Sequence, residues 1–503
     1  MTAKLSLAII ACVASALAAA AAHAQAPGGR CDIQVLNASD STRSNIVRTS
    51  PEAPRQIFFG GGFLARCLNQ DVRLAADSAE YYEGAQVLYL IGNVRYTEPR
   101  VRVTSDRATY KQGAEQLDAQ GDVDAVLPSG SSMRGPTATY LRAVRGLRPV
   151  SSLYAPDRPR FRLVQKDSAG RPAEPVLIVA DRVTTTNDSL VYAGGRVEIT
   201  RTDFDARSDS AYMDSGNEFV RLLGTPVARG KGERGYTLRG QVLDIFSRER
   251  VVQRVLSKRE ARATSEDMLL TSDTIDLRLE GNKLQQAYVW GASRARAVSP
   301  DRDLIADSMW VRMPDQRLRE LRAFGEAVAN TVPDTARIRS GEKDWLRGDT
   351  ILAWFDSTAA AARPVAPRDS AARGPVRPDS GATSTARDTT GVRLVALEAR
   401  GRASARTQVA GESTTPERPA INYNRGRTIR VRMDAAGEVA AVEVEGDAVG
   451  LYLEPAPGVG DAAPGTAAPT ATAPAGTAPS PGATPARPAA PRPSAPATPG
   501  ARP

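Results

Sequence analysis

The feature that most constrains the fold of this chain is a repeated segment whose alternation changes phase at its centre. Residues 101–110, VRVTSDRATY, alternate apolar and polar side chains as far as Ser105 and Asp106, then resume the alternation on the opposite parity. A straight strand keeps one parity, because successive side chains point to opposite faces. The change of parity beside a small residue therefore predicts a strand that bends at this point and keeps the same face inward.

Ten copies of this segment can be aligned, and seven of them carry aspartate at the bend. Their centres are Ala76-Asp77, Ser105-Asp106, Gly135-Pro136, Ala180-Asp181, Ser208-Asp209, Gly240-Gln241, Ser272-Asp273, Ala306-Asp307, Gly348-Asp349 and Gly426-Arg427. Most successive centres lie 28–34 residues apart. Such a period is typical of a supersecondary unit that buries its apolar face by stacking on its neighbours.

A second element, centred on glycine, follows the bend within the same repeats, as in residues 117–123, LDAQGDV. Other clear examples centre on Gly224, Gly325, Gly401 and Gly446. A glycine inside an alternating segment suits a bend or a close backbone approach within a strand. Turn residues such as Gln112-Gly113 separate the two elements, so each repeat is predicted to be an antiparallel hairpin with two bent strands.

Stacked hairpins of this kind predict an all-β chain in which one long sheet folds over an apolar inner face. At about 4.8 Å per strand, ten hairpins would extend on the order of 100 Å. The alternation is compatible with two arrangements of the inner face. The two halves of the sheet can close on each other as an ordinary core, or they can stay apart as an open trough for acyl chains.

The first 26 residues have the composition of a secretory signal peptide. Lys4 precedes an apolar stretch over residues 5–22, and small residues flank His23 in the pattern that signal peptidase cleaves. We therefore expect cleavage after Ala24 or after Ala26, and export of the remaining chain. Retention of this segment as a membrane anchor is the alternative.

Cysteine and histidine usage restricts the chemistry of the predicted mature chain. It contains no histidine and two cysteines, Cys31 and Cys67, since Cys12 lies in the leader, where lipid attachment is a weaker alternative. Without an imidazole, Ser-His-Asp and Cys-His catalysis and zinc sites of His and Cys are excluded, and we expect no metal and no cofactor. In an oxidising compartment two lone cysteines favour a Cys31–Cys67 disulfide over two unpaired thiols.

The formal net charge of +9 comes from 66 basic residues, of which only seven are lysine, against 57 acidic residues. Arginine binds phosphate and carboxylate through a planar fork, which is compatible with an anionic partner. Because the acidic residues are interspersed, a mixed, solvated surface is favoured over a dedicated nucleic-acid patch. We expect no nucleic-acid partner.

Composition divides the chain into eight segments. They are a signal peptide (1–26), an N-terminal segment (27–70), a first β domain (71–145), a loop or hinge (146–175), a second β domain (176–358), a disordered insert (359–390), C-terminal β repeats (391–454) and a disordered tail (455–503). The insert and the tail contain almost no large apolar residues. They therefore lack the apolar surface that would offset the entropy of ordering them.

Two adjoining motifs carry a resemblance to a known family. Residues 87–97, VLYLIGNVRYT, and the copy at 101–110 combine apolar-x-x-Gly-Asn-Val, a short turn and Ser-Asp-x-apolar-x-Tyr. In this combination the chain resembles the OstA-like family of lipopolysaccharide-transport proteins, most closely over 72–145 and recognisably over 176–330. The resemblance implies an open β-jellyroll or solenoid whose inner face binds the acyl chains of lipopolysaccharide or a similar amphipathic lipid. It also implies strand-edge pairing with other OstA-like envelope proteins, in the periplasm and in association with the outer membrane.

The alternation and the resemblance together assign two sets of candidate residues. The predicted lipid-binding residues of the inner face are Val72, Leu74, Leu88, Leu90, Val94, Val101, Val103 and Tyr110. The residues predicted to meet lipid phosphates at a rim are Arg95, Arg100, Arg102 and Arg107. The family has no catalytic residues to carry over.

Two other classes of function remain compatible with the sequence. A structural or adhesive β-solenoid scaffold of the cell envelope would have a dry, closed core. A carboxylate-based polysaccharide hydrolase would use bend aspartates such as Asp77, Asp106, Asp181 and Asp209. These aspartates recur from repeat to repeat, whereas a catalytic pair is singular, so we expect a structural role for them and no enzymatic activity.

Overall fold

A single antiparallel sheet contains every strand in the described part of the chain. The computed structural model describes residues 29–37, 44–68, 70–164, 174–231, 235–265, 268–333, 335, 337–356, 393–410, 414–434 and 439–455. Thirty strands lie in this sheet, and the one helical element among these residues is a 3-10 turn at Pro314–Gln316. The prediction of an all-β chain is confirmed.

Long strands and pairs of short strands make up the sheet. The strands are β1 Ile33–Val35, β2 Ser44–Val47, β3 Gln56–Phe59, β4 Phe63–Cys67, β5 Arg73–Ala76, β6 Ser78–Tyr82, β7 Val87–Glu98, β8 Val101–Lys111, β9 Gln116–Val126, β10 Ser132–Leu141, β11 Ser152–Ala155, β12 Arg160–Leu163, β13 Val176–Val179, β14 Arg182–Thr186, β15 Leu190–Thr200, β16 Phe204–Asp214, β17 Phe219–Leu223, β18 Val227–Gly230, β19 Tyr236–Arg239, β20 Val242–Arg248, β21 Val251–Thr264, β22 Leu269–Glu280, β23 Lys283–Val298, β24 Arg302–Arg312, β25 Glu320–Thr331, β26 Asp344–Asp356, β27 Arg393–Val409, β28 Ala420–Met433, β29 Val439–Glu445 and β30 Val449–Leu453. Fourteen of them run through a bend, while sixteen form eight consecutive pairs, such as β5 and β6, that each make one bent strand. The resulting 22 bent strands are the ten predicted hairpins, preceded by two N-terminal bent strands.

The register between neighbouring long strands shifts at the predicted bend. β7 and β8 pair as far as Ile91↔Arg107 and pair again from Val94↔Ser105. The two residues of β7 between these pairs have positive φ, 78° at the glycine and 46° at the asparagine. Glycine adopts this left-handed region without the steric cost that a Cβ atom imposes, which accounts for glycine in the second sequence element.

In the seven repeats that carry it, the bend aspartate lies against the glycine of the following strand. The backbone N–H of Asp77 donates to the carbonyl of Gly92 over 2.9 Å, and a Cβ atom added to Gly92 would overlap the Asp77 carboxylate. Seven such pairs form: Asp77–Gly92, Asp106–Gly121, Asp181–Gly195, Asp209–Gly224, Asp273–Gly291, Asp307–Gly325 and Asp349–Gly401. The two elements of each repeat therefore meet at one bend, and the recurring aspartates are residues of that bend.

The bends divide each bent strand into two halves, which build two walls. The first wall contains residues 94–98 of β7 and 101–105 of β8, and the second wall contains residues 87–91 and 107–111. We call the line of bends the corner, and the two rows of hairpin turns opposite it the mouth. Inward side chains of both walls form one continuous core.

Two predicted boundaries differ from the structure. Segment 146–175, predicted as a loop or hinge, contains β11 and β12, which pair with β10 on one side and with β14 and β13 on the other. The two predicted β domains are therefore parts of one sheet, to which segment 27–70 adds β1–β4. Strands β11 and β12 have only four residues each, too few for alternation to stand out among prolines. The predicted signal peptide, the predicted insert 359–390 and the predicted tail from 456 onward lie outside the described residues.

Candidate functional site

The space between the two walls holds all eight residues predicted to bind lipid. Each of them is at most 2% exposed. Leu88, Leu90 and Tyr110 belong to the second wall and the other five to the first wall. The structure thus brings these residues together, but in a packed core, because the walls lie against each other in this part of the sheet.

Tyrosine rings from the two walls meet in this core. The ring of Tyr96 in the first wall lies 6.2 Å from the ring of Tyr110 and 6.0 Å from that of Tyr140, both in the second wall. Such separations are in the range of favourable aromatic contacts. Burial raises the pKa of all three phenols well above the ordinary value, so these hydroxyls stay protonated and act as hydrogen-bond donors.

Glu98 joins the two walls at the mouth. This last residue of β7 is 8% exposed and accepts hydrogen bonds from Tyr96 in its own wall and from Tyr140 in the opposite wall. The guanidinium of Arg142 lies 4.0 Å from its carboxylate. Burial raises the pKa of Glu98, although the hydrogen bond from Tyr140 and the charge of Arg142 act in the opposite direction. We call this group the Glu98 latch.

The segment that precedes β1 crosses the mouth as a strap. The backbone N–H of Cys31 donates to Oε1 of Glu115 in the second wall over 2.5 Å. Arg142 contacts the same carboxylate at 2.9 Å and donates to the carbonyl of Gly29 over 2.7 Å. The Cys31–Cys67 disulfide, with 4.9 Å between the Cα atoms, confirms the predicted pairing and ties the strap to β4 in the first wall.

Two further hydrogen-bonded bridges span the mouth beyond the strap. Ser129, in the turn after β9, donates to the Asp188 carboxylate through its backbone N–H over 2.9 Å and through its hydroxyl over 2.8 Å. Burial raises the pKa of Asp188, although these two hydrogen bonds act in the opposite direction. Arg201, in the turn after β15, donates to the carbonyl of Arg250 over 3.3 Å. Each bridge joins a turn of the first wall to a turn of the second.

A small cavity opens between the walls at the central bent strands. Its volume is about 50 Å³, with Phe204 and Tyr236 of the first wall facing Ile245, Val252 and Leu279 of the second. Burial raises the pKa of Tyr236 to about 12. At roughly 10–15 Å³ for each enclosed water, this cavity has room for a few waters and is far smaller than an acyl chain.

The four arginines predicted as a phosphate rim lie in three different places, and only Arg95 and Arg102 are on the same face. Arg95 and Arg102 are exposed at outward positions of the first wall, and Arg107 is exposed at an outward position of the second. Arg100 lies in the turn between β7 and β8, at the mouth. Because the bend sends residues before and after it into different walls, neighbours in sequence separate in space. Only Arg100 lies at the mouth, where a rim around the space between the walls would be.

The sequence analysis did not assign a role to the charged residues of the mouth, although their positions in the alternating pattern indicate that they point inward. Glu98 continues the inward parity of Val94 and Tyr96, and Arg142 continues the inward parity of Tyr140. A charged residue at an inward position, at the end of a strand, marks a side chain that must find a buried partner. These positions could therefore have been assigned to contacts across the mouth.

The part of the chain that the structure describes contains neither a cluster of metal-ligating side chains nor a helix that could span a membrane. Within this part, no group of three or more acidic, cysteine or histidine side chains is placed to hold a metal ion. In the same residues no helix has the length and apolar character needed to cross a bilayer.

Comparison with known proteins adds no assignment to this geometry. No model of a protein family matches the sequence, and no curated protein matches it.

Proposed function

We propose that the protein holds the acyl chains of an amphipathic lipid, of the lipopolysaccharide type, between its two walls. The supporting observation is one continuous apolar core between walls that the chain joins along the corner and through the strap, with polar bridges at the mouth. Burial of a CH₂ group contributes about 0.8 kcal/mol, so a twelve-carbon chain contributes about 10 kcal/mol before entropic losses. The core is filled, so lipid enters by parting the walls at the mouth and replacing contacts between the walls.

The ends of the sheet support a role in an assembly. Within the described residues, β1 and β2 pair on one side only, as do β29 and β30. Val449, Leu451 and Leu453 of β30 are 57%, 49% and 48% exposed. An unpaired edge with apolar side chains is a template for another strand. In our proposal these edges pair with other OstA-like proteins in the periplasm, to form a lipid path to the outer membrane.

A structural scaffold of the cell envelope is the second candidate function. It is favoured by the burial of the eight predicted lipid-binding residues, at most 2% exposed, and by the small volume of the cavity, about 50 Å³. In that case the walls never part, and the interior is a core like any other. The two candidates differ in one physical event, the opening of the mouth.

A crosslink between the two walls at the mouth distinguishes the lipid-binding function from the scaffold function. In the Ser129→Cys/Asp188→Cys variant, a short bismaleimide joins two turns that are already hydrogen-bonded across the mouth. The native cysteines are bonded to each other and do not react. If lipid enters between the walls, the locked protein binds lipopolysaccharide at least about tenfold more weakly than the same variant without crosslinker, which equals a loss of about 1.4 kcal/mol.

A matched control places the same crosslinker inside one wall. Val126 and Ser132 are directly opposed on β9 and β10 in the first wall, so Val126→Cys/Ser132→Cys leaves the mouth free. This control is expected to bind lipid with and without crosslinker. Equal binding by the locked and the free Ser129/Asp188 variant, or no binding by any form, would contradict the lipid proposal and leave the scaffold.

A further inference from the structure

On strands β17 to β22 the outward face of the second wall pairs its cations with buried carboxylates. Arg221 and Lys258 contact the Asp244 carboxylate at 2.6 and 2.9 Å, and Arg254 contacts the Asp276 carboxylate at 2.8 Å. Asp244 is 1% exposed and Asp276 is 2% exposed, because the basic side chains cover them. At these two positions the fold therefore places a carboxylate between the cations of neighbouring strands.

The outward face of the first wall presents two groups of arginines without such carboxylates. The N-terminal group is Arg66, Arg73, Arg95 and Arg102, on the neighbouring strands β4, β5, β7 and β8. The central group is Arg207, Arg229, Arg239 and Arg262, on the neighbouring strands β16, β18, β19 and β21. All eight are exposed, and none of them forms an ion pair with any residue that the structure describes. Elsewhere on the first wall some arginines are paired, as Arg134 is with Asp124 at 2.8 Å and Arg296 with Asp303 at 2.7 Å, so the two groups are local concentrations of cations that are unpaired among the described residues.

Each group contains a pair of arginines in direct opposition. Arg66 faces Arg73 across β4 and β5, and Arg239 faces Arg262 across β19 and β21. Like charges directly opposite each other on neighbouring strands destabilise a sheet. Asp205, on β16 of the central group, contacts Lys231 at 2.7 Å. A ligand that supplies anions between the opposed arginines removes this repulsion.

We infer that the outward face of the first wall is a docking surface for a linear anionic polysaccharide. The guanidinium fork pairs with carboxylate or phosphate through two parallel hydrogen bonds. Threonines interleave the arginines, at Thr97 and Thr104 in the N-terminal group and at Thr237 and Thr264 in the central group. Their hydroxyls donate to and accept from sugar hydroxyls. Alternating guanidinium and hydroxyl groups match a polymer that carries both charge and hydroxyls.

Two other anionic partners fit this surface less well. Single-stranded nucleic acid binds by stacking its bases on aromatic rings, whereas the exposed aromatic side chains Tyr288 and Trp290 lie on the second wall and Tyr452 lies on β30, outside both arginine groups. An anionic membrane presents a plane, whereas neighbouring strands rotate by about 20–25°, so that rows of arginines wind around the sheet. A flexible chain follows such a winding row. This surface is separate from the space between the walls, so the inference does not depend on the proposed lipid function.

Charge-neutralising variants of the full chain test the inference with polygalacturonate as the probe and dextran as the neutral reference. The variant Arg66→Gln/Arg73→Gln/Arg95→Gln/Arg102→Gln removes the N-terminal group. The control Arg107→Gln/Arg182→Gln/Arg248→Gln/Arg312→Gln removes four exposed arginines of the second wall, with the same change in net charge. We expect the first variant to bind polygalacturonate at least about tenfold more weakly than the control, because several charge-assisted contacts are lost.

Thermal melting shows whether each variant is folded, so that a loss of binding can be attributed to the loss of charge. The N-terminal-group variant relieves repulsion between Arg66 and Arg73, so it is expected to melt at or above the temperature of the parent protein. Equal loss of binding in both variants would overturn the inference, because net charge alone would then explain it. It would also be overturned if single-stranded DNA, or vesicles of equal parts phosphatidylcholine and phosphatidylglycerol, bound more tightly than polygalacturonate and through the same arginines.

Discussion

At seven of the bends an aspartate occupies the space that a side chain on the opposite glycine would fill. At Asp77 the carboxylate also accepts a hydrogen bond from the side chain of Asn93 over 2.8 Å. At Asp181 the residue after the glycine is Arg196, which contacts the carboxylate at 2.6 Å. At these two bends the glycine lets the backbone turn, and the residue beside it pairs with the aspartate of the neighbouring strand. The aspartate and the glycine therefore act together at a bend of this kind.

Substitution of Gly121 tests this arrangement. Its φ is +76°, and a Cβ atom would overlap the Asp106 carboxylate. We expect Gly121→Ala to lower the free energy of unfolding by about 2 kcal/mol, from the strained backbone and the overlap together. Gly281 has φ of +55° with no atom within 4 Å of the position that a Cβ atom would occupy, so Gly281→Ala is a control that carries the backbone strain alone. Urea denaturation measures both, and equal losses would contradict a role for the aspartate contact.

The Glu98 latch predicts a pH dependence with a definite sign. Burial raises the pKa of Glu98 in the folded protein, so the folded state holds its proton more tightly than the unfolded state. Between the ordinary pKa of glutamate and the raised value, stability therefore falls as pH rises. We expect Glu98→Gln, which keeps an acceptor for Tyr140, to remove this slope and to match or exceed the parent protein in stability at neutral pH.

Thermal melting from pH 4 to pH 8 measures this slope, and hydrogen exchange of β7 and β10 reports on the mouth itself. Asp188 has a pKa that burial also raises, so Asp188→Asn serves as a second variant at an independent bridge. Each single substitution is expected to remove part of the pH dependence, and the pair more. An unchanged slope in the Glu98→Gln protein would contradict the latch.

At the scale of elements, alternation predicted the bent hairpins because it depends on local geometry. The parity change at Ser105-Asp106 and the glycine at 121 lie within single strands, and the structure has a bend at both. The closure of the walls depends on contacts such as Tyr96 with Tyr140, 44 residues apart in sequence. A trough and a core require the same inward parity, so the sequence left that choice open. The sequence also assigned Arg95 and Arg107 to one rim, because the outward parity of both residues does not show that they lie in different walls.

Neighbouring strands of the second wall are held by carboxylates that two cations share. Asp244 accepts hydrogen bonds from Arg221 on one side and Lys258 on the other. Burial alone would raise the pKa of Asp244, and these two hydrogen bonds lower it overall. A lowered pKa contributes stability above the ordinary pKa of aspartate, and this stability is lost as pH falls through the lowered value.

Removal of the Asp244 charge tests whether these shared carboxylates stabilise the second wall. We expect Asp244→Asn to destabilise the protein by about 2 kcal/mol at neutral pH, the magnitude of hydrogen bonds to a charged group. The difference from the parent protein should shrink as pH falls from the ordinary pKa of aspartate through the lowered value, because the unfolded parent then binds a proton before the folded carboxylate does. Arg73→Gln on the first wall is the contrasting variant, with no expected loss, since Arg73 has no ion pair among the described residues. Guanidinium denaturation at several pH values measures both.

At the scale of the whole sheet, each bent strand contacts only its two neighbours along the array and the wall opposite. Stability of such a molecule is a sum of local and nearest-neighbour contributions, so a defect in one hairpin loosens its neighbours and leaves distant hairpins intact. A protein that parts its walls to admit lipid, one section at a time, depends on this local behaviour. A closed scaffold has no need of it.

Two cavity-forming substitutions in separate hairpins test whether the sheet opens locally. Leu238 in β19 and Leu90 in β7 are 0% and 1% exposed, and alanine at such sites typically costs about 2–5 kcal/mol. We expect Leu238→Ala to accelerate hydrogen exchange in β18–β22 while β7–β9 keep their protection, and Leu90→Ala to produce the reverse pattern. Each variant is the control for the other, since the chemical change is the same and only the location differs. Acceleration across all strands in both variants would mean that the sheet opens as one cooperative unit, and lipid entry would then require its global unfolding.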